Sequence, residues 1–535
     1  TLAARQTWFT SMTKISGKSL IDGRWIEPNG PEFTSFNPCT GESFNTFLSC
    51  GAAEVDAALA AASDAWRVMR RMDGETIAGF LDAVADEIEA LGDTLLETCD
   101  AETGLGLVRL TGERGRTTGQ IRAFADIARK GEWVQASIDT ALPDRQPVPK
   151  PDLRRMMRGI GPVAVFGASN FPFAFSVAGG DTASALAAGN PVVVKGHPAH
   201  PATSELFARA FEAAIEKTGF PTGAFALLQS ADFTTGSELV GHPAVQAVGF
   251  TGSLAGGRAL MDLAAARRQP IPVYAEMGSV NPVFLGPKTL EKTGGPIAAG
   301  LSGSVCMGTG QFCTSPGLAI LIKNPSFEDQ MKMAMDAAPR GHLLNPPIRD
   351  ALHRGLQELQ AIEGVEWLNQ TDFEGDAMTP PNAVFRVSAD AFLQEKRLAE
   401  EVFGPVTLLV ACNDEEQMLE VGASLDGNLT GSIHADEDPE LAAAVLELLE
   451  DRVGRIICNG YPTGVEVCPA QQHGGPYPSS SVSWATSVGA DAIVRFARFV
   501  AYQETPERLL PAALRDANPL GICRRVNGEL TRNPL

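Results

Sequence analysis

The stretch Val163-Ala164-Val165-Phe166-Gly167-Ala168-Ser169-Asn170-Phe171-Pro172 begins the part of the chain in which strands alternate with helices. Its first four residues are apolar and predict a buried strand. Further elements are predicted as strands at 192–194, 225–228, 245–250 and 272–275, and as helices at 177–188, 204–217 and 254–267. Strands joined by helical connections predict an α/β fold, in which helices cover both faces of a parallel sheet.

The segments on either side extend this organisation. Upstream, short strands are predicted within residues 19–47, followed by helices at 53–71, 74–98 and 107–130. Residues 141–155 are rich in proline, which predicts a connector or an extended arm rather than a helix. Downstream, strands at 318–322, 406–410 and 454–458 predict a second α/β domain.

Length and charge limit the class of protein. A chain of 535 residues with 44% hydrophobic and 20% charged residues predicts a soluble protein of two or three domains. The net charge of −21 predicts that neither nucleic acid nor an anionic membrane is a partner, because both would be repelled. Residues 1–13 contain no apolar segment and are not predicted to be a signal peptide.

The cysteines indicate a reducing compartment. Nine of them are scattered along the chain, without a C-x-x-C pair and without histidines at metal-ligand spacing. This pattern predicts a cytoplasmic protein with neither a disulfide framework nor a bound metal.

Polar residues follow several predicted strands, where open α/β sheets bind their ligands. Asn170 can donate an N–H to an oxyanion or simply cap a helix. Lys195 can meet a ribose or a phosphate, or extend into solvent. In Phe250-Thr251-Gly252-Ser253-Leu254-Ala255-Gly256-Gly257, residues Gly252, Ser253 and Gly257 can bring a helix N-terminus to a pyrophosphate, although the pattern is not G-x-G-x-x-G.

Cys313 and Glu276 are the candidate reacting groups. Cys313 follows the glycine-rich residues Gly308-Thr309-Gly310, and it is either a buried small hydrophobe or a nucleophile in a cleft. Glu276 ends a predicted strand, and it is either a ribose ligand or a general base whose pKa is raised by an apolar pocket. Spacing along the chain does not choose between these alternatives.

Six motifs in order resemble those of the aldehyde dehydrogenase superfamily, over roughly residues 20–500. They are Ser169-Asn170-Phe171-Pro172, Val194-Lys195, Phe250-Thr251-Gly252-Ser253, Glu276-Met277-Gly278, Gly310-Gln311-Phe312-Cys313 and Glu401-Val402-Phe403-Gly404-Pro405. The resemblance implies that Cys313 adds to an aldehyde, that Asn170 and the Cys313 N–H form the oxyanion hole, and that Glu276 activates the water that hydrolyses a thioester. It also implies that Lys195, Gly252, Ser253, Gly257, Glu401 and Phe403 bind NAD(P).

The same resemblance implies an architecture. A Rossmann-like cofactor domain would comprise residues 1–140 and 161–285, and a catalytic α/β domain would comprise residues 286–479. Residues 141–160 and 480–503 would form a small oligomerisation arm that makes a homodimer or homotetramer, followed by a polar C-terminal tail at 504–535.

Two departures from the family pattern concern the cofactor and the pocket. Ala168-Ser169 replaces a common Pro-Trp, which makes this wall of the pocket smaller. Pro198 occupies the place where many NAD-specific members carry a Glu, so a 2′-phosphate would not be repelled. This favours NADP, with NAD possible. His197 or His200 can help to bind the 2′-phosphate, although a surface position is expected for both.

Further motifs are similar to one branch, the 2,5-dioxopentanoate (alpha-ketoglutaric semialdehyde) dehydrogenases. They are Gly179-Gly180-Asp181-Thr182-Ala183-Ser184-Ala185-Leu186, His197-Pro198-Ala199-His200-Pro201 and His473-Gly474-Gly475-Pro476-Tyr477-Pro478. The substrate's distal carboxylate needs a cation, for which Arg114 and Arg116 are the candidates, with Phe171 nearby. Surface ion pairs are the alternative for both arginines.

Other substrates and classes are less favoured. Trp484 replaces an arginine typical of the branch, so fatty or aromatic aldehydes are the alternative substrates. Glu276 argues against a CoA-acylating dehydrogenase, in which a thiol replaces water. The joint presence of Cys313, Glu276 and Asn170 argues against a non-catalytic relative with a structural role.

Overall fold

The computed structural model describes residues 14–371 and 377–535. Residues 1–13, for which the sequence predicts no signal peptide, lie outside the described residues. Within the described ranges, no helix combines the length and the apolar composition needed to cross a membrane.

The strands of the described residues are short and mostly apolar. In chain order they are β1 (Ser19–Ile21), β2 (Arg24–Ile26), β3 (Glu32–Phe36), β4 (Ser43–Leu48), β5 (Ser137–Asp139), β6 (Leu153–Gly159), β7 (Val163–Phe166), β8 (Val192–Lys195), β9 (Phe225–Leu228), β10 (Ala247–Thr251), β11 (Val273–Glu276), β12 (Val283–Leu285), β13 (Leu318–Ile322), β14 (Glu366–Trp367), β15 (Ala383–Ser388), β16 (Val406–Cys412), β17 (Asn428–His434), β18 (Val453–Cys458), β19 (Ala497–Gln503), β20 (Arg524–Val526) and β21 (Glu529–Thr531).

The α-helices connect these strands. They are α1 (Ala52–Met69), α2 (Gly74–Ala90), α3 (Gly92–Thr103), α4 (Leu107–Lys130), α5 (Gly180–Ala187), α6 (Pro201–Thr218), α7 (Thr234–Gly241), α8 (Leu254–Ala266), α9 (Pro287–Cys306), α10 (Pro325–Ala337), α11 (Pro346–Ala361), α12 (Ala389–Gln394), α13 (Glu415–Ser424) and α14 (Pro439–Glu450). The single helix predicted at 74–98 is two helices, because Gly92 adopts a left-handed φ of 56° that interrupts the helix.

Two seven-stranded sheets are the largest sheets of the fold. The first has the order β11-β10-β7-β8-β9-β1-β2 and is parallel from β11 to β9, with β1 and β2 antiparallel at one edge. The second has the order β14-β15-β16-β13-β12-β17-β18 and is parallel except for β14. Valines and leucines of β7, β8 and β9 are fully buried between helical layers, as expected for parallel strands covered on both faces.

Sheet membership differs in detail from the predicted domain limits. Strand β12 belongs to the second sheet, so the change of sheet falls between Glu276 and Val283 rather than after residue 285. A third sheet, ordered β19-β6-β5-β20-β21, contains β5 from before residue 141 and two strands from the predicted tail at 504–535. The tail is therefore part of this sheet, because β20 pairs with β5. The division into functional domains stays a prediction.

A buried polar network joins the link between the two large sheets to the loop that carries Cys313. Asn281 Nδ2 donates hydrogen bonds to the carbonyls of Cys313 and Ser315, both at 2.9 Å. Its Oδ1 accepts from Thr430 Oγ1 at 2.8 Å. Asn281 is fully buried and has a φ of 47°, a left-handed conformation that asparagine tolerates better than most residues.

This network gives a stability prediction. We expect Asn281→Ala to lower the free energy of unfolding by about 2–4 kcal/mol, because it leaves two partly buried carbonyls without this donor. Asn459→Ala is the matched control, since Asn459 has a similar φ of 53° but is exposed. Chemical denaturation of both variants measures the difference. Equal losses of stability would show that backbone conformation, and not the buried hydrogen bonds, makes position 281 important.

Candidate active site

The loop that carries Cys313 begins with a sharp turn after α9. Gly308, Thr309 and Gly310 all have left-handed φ angles, between 56° and 65°, which reverse the chain before Cys313. Gly310 lies against the backbone of Gly404, where a side chain would not fit. The turn therefore brings the thiol loop into contact with the loop that contains Glu401.

The thiol faces a histidine and a carboxylate. Cys313 Sγ lies 3.6 Å from His473 Nε2, and the same nitrogen lies 3.0 Å from Glu276 Oε1. Glu276 is at the carboxyl end of β11, and its Oε2 accepts a short hydrogen bond from Ser487 Oγ. His473 and Glu276 are 1% and 4% exposed, so both polar groups interact with protein rather than with bulk water.

These contacts determine the charges at rest. Burial, the Glu276 charge and its hydrogen bond raise the pKa of the Cys313 thiol well above its usual value, with a smaller opposing effect of Arg116. Burial alone would raise the pKa of Glu276, but the charge of His473 and polar contacts with His473, Ser487 and Cys313 outweigh it and lower the pKa. The expectation of a raised Glu276 pKa is therefore wrong, because the pocket is polar rather than apolar.

Asn170 lies beside the thiol loop. It is 9% exposed, and its Nδ2 donates to the carbonyl of Gln311 at 3.1 Å, two residues before Cys313. Its own carbonyl accepts from Arg109 Nη2 at 2.6 Å. Nδ2 carries a second hydrogen that can serve an oxyanion. Helix capping is not its role, since α5 begins ten residues later at Gly180.

One face of α4 brings two arginines towards the site. Arg109, Glu113 and Arg116 are spaced at i, i+4 and i+7, which places them on one side of a helix. The Arg109 guanidinium lies 5.0 Å from the ring centre of Phe312 and 5.1 Å from that of Phe171. Arg116 lies 5.9 Å from the Phe171 ring.

Arg116 is charged but poorly paired. Its Nε and Nη2 atoms are buried and have no hydrogen-bond partner among the described residues. Burial lowers its pKa, and attractive charges of Glu113, Cys313 and Glu276 oppose this effect. Arg114 points elsewhere: it donates to the Gly92 carbonyl at 3.0 Å and pairs with Glu89 at 3.3 Å. The structure thus separates the two candidate arginines, and Arg114 forms the ion pair considered as its alternative.

Three site residues had no role in the sequence-based prediction. His473 and Ser487 are far from Glu276 in the chain, and the motif that contains His473 indicates only the branch of the family. Arg109 could have been found from its helical spacing to Arg116. Residues 480–487, predicted as part of the arm, reach the site, since Met277 N donates to the Ser479 carbonyl and Ser481 N to that of Ala275.

The predicted cofactor residues lie at the ends of the first sheet. Ser253 caps α8 by accepting from Gly256 N at 3.2 Å, and Gly252 and Ser253 are exposed at this helix N-terminus. The helix therefore presents backbone N–H groups that suit a pyrophosphate. Gly257 instead faces the sheet, where an added side chain would overlap Met277, so it allows close packing of α8.

The remaining cofactor candidates are partly buried. Burial lowers the pKa of Lys195 to about 8, against an opposing effect of Asp232. A cleft is lined by Glu401, Phe403 and Gly310 among other residues. Burial raises the pKa of Glu401 to about 7, although the Ser279 N–H hydrogen-bonds to it. Together with the α8 N-terminus, these groups fit a dinucleotide.

His200 does not have the expected surface position. It is fully buried, and its Nε2 lies 2.9 Å from the Ala168 carbonyl.

A parallel α/β fold, an exposed helix N-terminus that suits a pyrophosphate and a thiol beside a carboxylate are together typical of a dinucleotide-dependent dehydrogenase with a cysteine nucleophile. A model described as the aldehyde dehydrogenase family matches residues 25–494. The chain therefore belongs to the aldehyde dehydrogenase family, and it is an NAD(P)-dependent enzyme that oxidises aldehydes. The predicted α/β fold and family are confirmed.

Individual relatives are similar over nearly the whole chain. It is 48% identical to alpha-ketoglutaric semialdehyde dehydrogenase 2 of Azospirillum brasilense, over 96% of this chain and 99% of that protein. It is 45% identical to alpha-ketoglutaric semialdehyde dehydrogenase of Acinetobacter baylyi, over 98% and 100%. Its fold matches that of a 1-pyrroline-5-carboxylate dehydrogenase from Thermus with bound NAD, with a TM-score of 0.76, 22% identity and coverage of 94% and 97%. The similarity to the semialdehyde dehydrogenase branch is confirmed.

The charges around Cys313 predict that loss of the Glu276 charge raises the rate of Cys313 alkylation and lowers the rate of aldehyde oxidation. Glu276→Gln removes the charge that raises the pKa of the Cys313 thiol. At pH 8 we expect iodoacetamide to alkylate Cys313 roughly three to ten times faster in this variant, because the thiolate fraction rises. Aldehyde oxidation should fall, since the carboxylate is lost. Glu401→Gln, which removes a weaker charge influence, should accelerate alkylation less. Slower alkylation of Glu276→Gln would instead make Glu276 the group that ionises the thiol.

Proposed function

We propose that this enzyme oxidises 2,5-dioxopentanoate (alpha-ketoglutaric semialdehyde) to 2-oxoglutarate. The observation that carries the proposal is the buried, unpaired edge of the Arg116 guanidinium, whose charge interacts with Cys313 and Glu276. A buried cation without a partner is costly, and a substrate carboxylate would offset that cost. The names of the relatives at 48% and 45% identity point to the same aldehyde.

The side chains suit a covalent route. The Cys313 thiol gives its proton to His473 Nε2 as its sulfur adds to the aldehyde carbon, so Glu276 stays ionised. His473 returns this proton to the thiolate when the thioester is later hydrolysed. The alkoxide that forms is held by Asn170 Nδ2 and the Cys313 N–H, a type of contact worth roughly 3–4 kcal/mol. The bound nicotinamide supplies hydride acceptance. Glu276 then takes a proton from the water that hydrolyses the thioester on Cys313, and Ser487 keeps its carboxylate oriented.

The distal end of the substrate would lie towards α4. Arg116 can offer two N–H groups to one carboxylate, which is the geometry in which guanidinium binds most strongly. The aromatic rings of Phe171 and Phe175 orient the guanidinium, with Phe175 at 5.1 Å. Trp484 is 62% exposed and packs against Tyr274, so its replacement of an arginine leaves this cation unchanged.

We further infer that NADP is the preferred cofactor and that NAD is also used. Pro198 places no carboxylate next to Lys195 in the sequence, which favours a 2′-phosphate. Asp232 is nevertheless close enough to influence the pKa of Lys195. Its Oδ1 accepts from Thr234 N at 3.0 Å near the start of α7, which offsets part of its charge.

We propose that the third sheet forms the contact between subunits of an oligomer. Strand β19 is at its edge and pairs only with β6 among the described strands, and Phe499 on β19 is 40% exposed. An unpaired strand edge with exposed aromatic side chains favours association with a second copy. We propose a homodimer or homotetramer in the cytoplasm, in keeping with nine free cysteines.

Arginine variants test the substrate. We expect Arg116→Ala to lower kcat/KM for alpha-ketoglutaric semialdehyde roughly 10- to 100-fold, because a charged hydrogen bond contributes about 1.5–3 kcal/mol. Butanal, which has no carboxylate, should be affected less than threefold. Arg114→Ala is the matched control and should leave both substrates unchanged. Formation of NAD(P)H measures each rate, with Cys313→Ala as the inactive reference. Equal losses on the two aldehydes would exclude a carboxylate contact.

Cofactor preference has its own test. Asp232→Asn removes a negative charge near Lys195, so the ratio of kcat/KM for NADP to that for NAD should rise several-fold. Glu238→Gln on the exposed side of α7 should not change the ratio. Initial rates with both cofactors at pH 7 provide the measurement. A wild type that strongly prefers NAD would contradict the inference from Pro198.

A further inference from the structure

Three donor atoms of different chemistry converge at the thiol. Cys313 Sγ, His473 Nε2 and a Glu276 carboxylate oxygen all lie within 4.8 Å of one another. Sulfur, imidazole nitrogen and carboxylate oxygen are the three ligand types that Zn²⁺ accepts in proteins. His473 is separated from Cys313 by 160 residues, so no spacing in the sequence indicates this set.

The separations are close to those in a zinc site. With a Zn–S distance of about 2.3 Å and a Zn–N distance of about 2.1 Å, tetrahedral coordination separates ligand atoms by roughly 3.4–3.6 Å. The Sγ–Nε2 separation is 3.6 Å, and the Nε2–Oε1 separation is 3.0 Å. Small side-chain movements would therefore bring all three atoms onto one ion.

The carboxylate is directed into this cluster. Glu276 is 4% exposed, its Oε1 lies 3.0 Å from His473 Nε2, and its Oε2 accepts from Ser487 Oγ. His473 is held in place by its backbone, since its N–H donates to Thr486 Oγ1 at 2.9 Å and its carbonyl accepts from Ser487 N at 2.8 Å. The Glu276 carboxylate and the His473 backbone are thus held in place before an ion arrives, and the buried His473 Nδ1 has no hydrogen-bond partner among the described residues.

The charges also match. A thiolate and a carboxylate together carry two negative charges, which a divalent cation neutralises, and a coordinating thiol loses its proton outright. Three protein ligands leave the fourth position of a tetrahedral zinc ion for water. Magnesium and calcium prefer oxygen ligands and would not use this set.

We propose that Cys313, His473 and Glu276 form an inhibitory binding site for Zn²⁺. The ion exchanges for the thiol proton and occupies the nucleophile and the base at once. Bound Zn²⁺ excludes the aldehyde, and a chelator restores the free thiol. The site makes the enzyme's activity depend on the free Zn²⁺ concentration.

Direct binding tests the proposal without substrate, so its failure leaves the proposed activity untouched. Calorimetry with ZnCl₂ should give one tight site per chain, and affinity should fall about 100-fold or more in Cys313→Ser and in His473→Gln. Cys458→Ala, which removes an exposed thiol outside this cluster, is the matched control and should bind like wild type. Thermal unfolding should show that Zn²⁺ stabilises wild type and Cys458→Ala but not the two site variants.

The visible spectrum of bound Co²⁺ identifies the atoms that coordinate the metal. Co²⁺ added to the wild-type enzyme should give an intense visible spectrum of tetrahedral type with a thiolate charge-transfer band, and Cys313→Ser should lack that band. Zn²⁺ should also protect Cys313 from iodoacetamide, whereas Mg²⁺ and Ca²⁺ should not. Unchanged zinc affinity in both Cys313→Ser and His473→Gln, or a cobalt spectrum without thiolate absorption, would overturn the proposal.

Discussion

The carboxamide of Asn281 joins the link between the two large sheets to the loop that carries the thiol. It holds the Cys313 and Ser315 carbonyls, while Asn428 Oδ1 accepts from the Val280 and Asn281 N–H groups. Because Glu276 ends β11 of the first sheet only a few residues earlier, this link fixes the position of Glu276, the proposed base, relative to the loop that carries Cys313. A shift of either sheet would separate them.

The site concentrates ionisable groups in a place where burial penalises charge. Pairing decides which groups remain charged: contacts with His473 and Ser487 keep Glu276 ionised, while the nearby carboxylate keeps the Cys313 thiol protonated. A resting enzyme with a protonated thiol and an ionised base has the proton acceptor ready before the aldehyde arrives. The same separation between donor atoms that permits proton transfer also suits a soft metal ion.

Helix α4 links the catalytic centre to substrate choice. Its Arg109 hydrogen-bonds to the Asn170 carbonyl, and Glu113 Oε1 accepts from the Phe173 and Ala174 N–H groups at 2.9 and 3.0 Å. The helix therefore positions the loop that offers the oxyanion donor. Arg116 on the same face is left with unpaired N–H groups, which is where a second carboxylate can be recognised. One face of α4 therefore positions the loop that carries Asn170 and also presents Arg116, the proposed carboxylate ligand.

The sequence by itself determined the α/β class and the family, and it contains the motifs of the proposed reacting residues. Strand and helix periodicity is local, and Asn170, Glu276 and Cys313 each lie in a short motif beside a predicted element. Some relations inside helices were also available, such as the shared face of Arg109 and Arg116. The tertiary structure decided the rest. It brought Ser487 to Glu276 across 211 residues, placed His473 against the thiol and turned Arg114 towards Glu89. It also reversed the expected direction of the Glu276 pKa shift, because desolvation and pairing depend on which distant side chains pack around a carboxylate, and no local pattern contains that information.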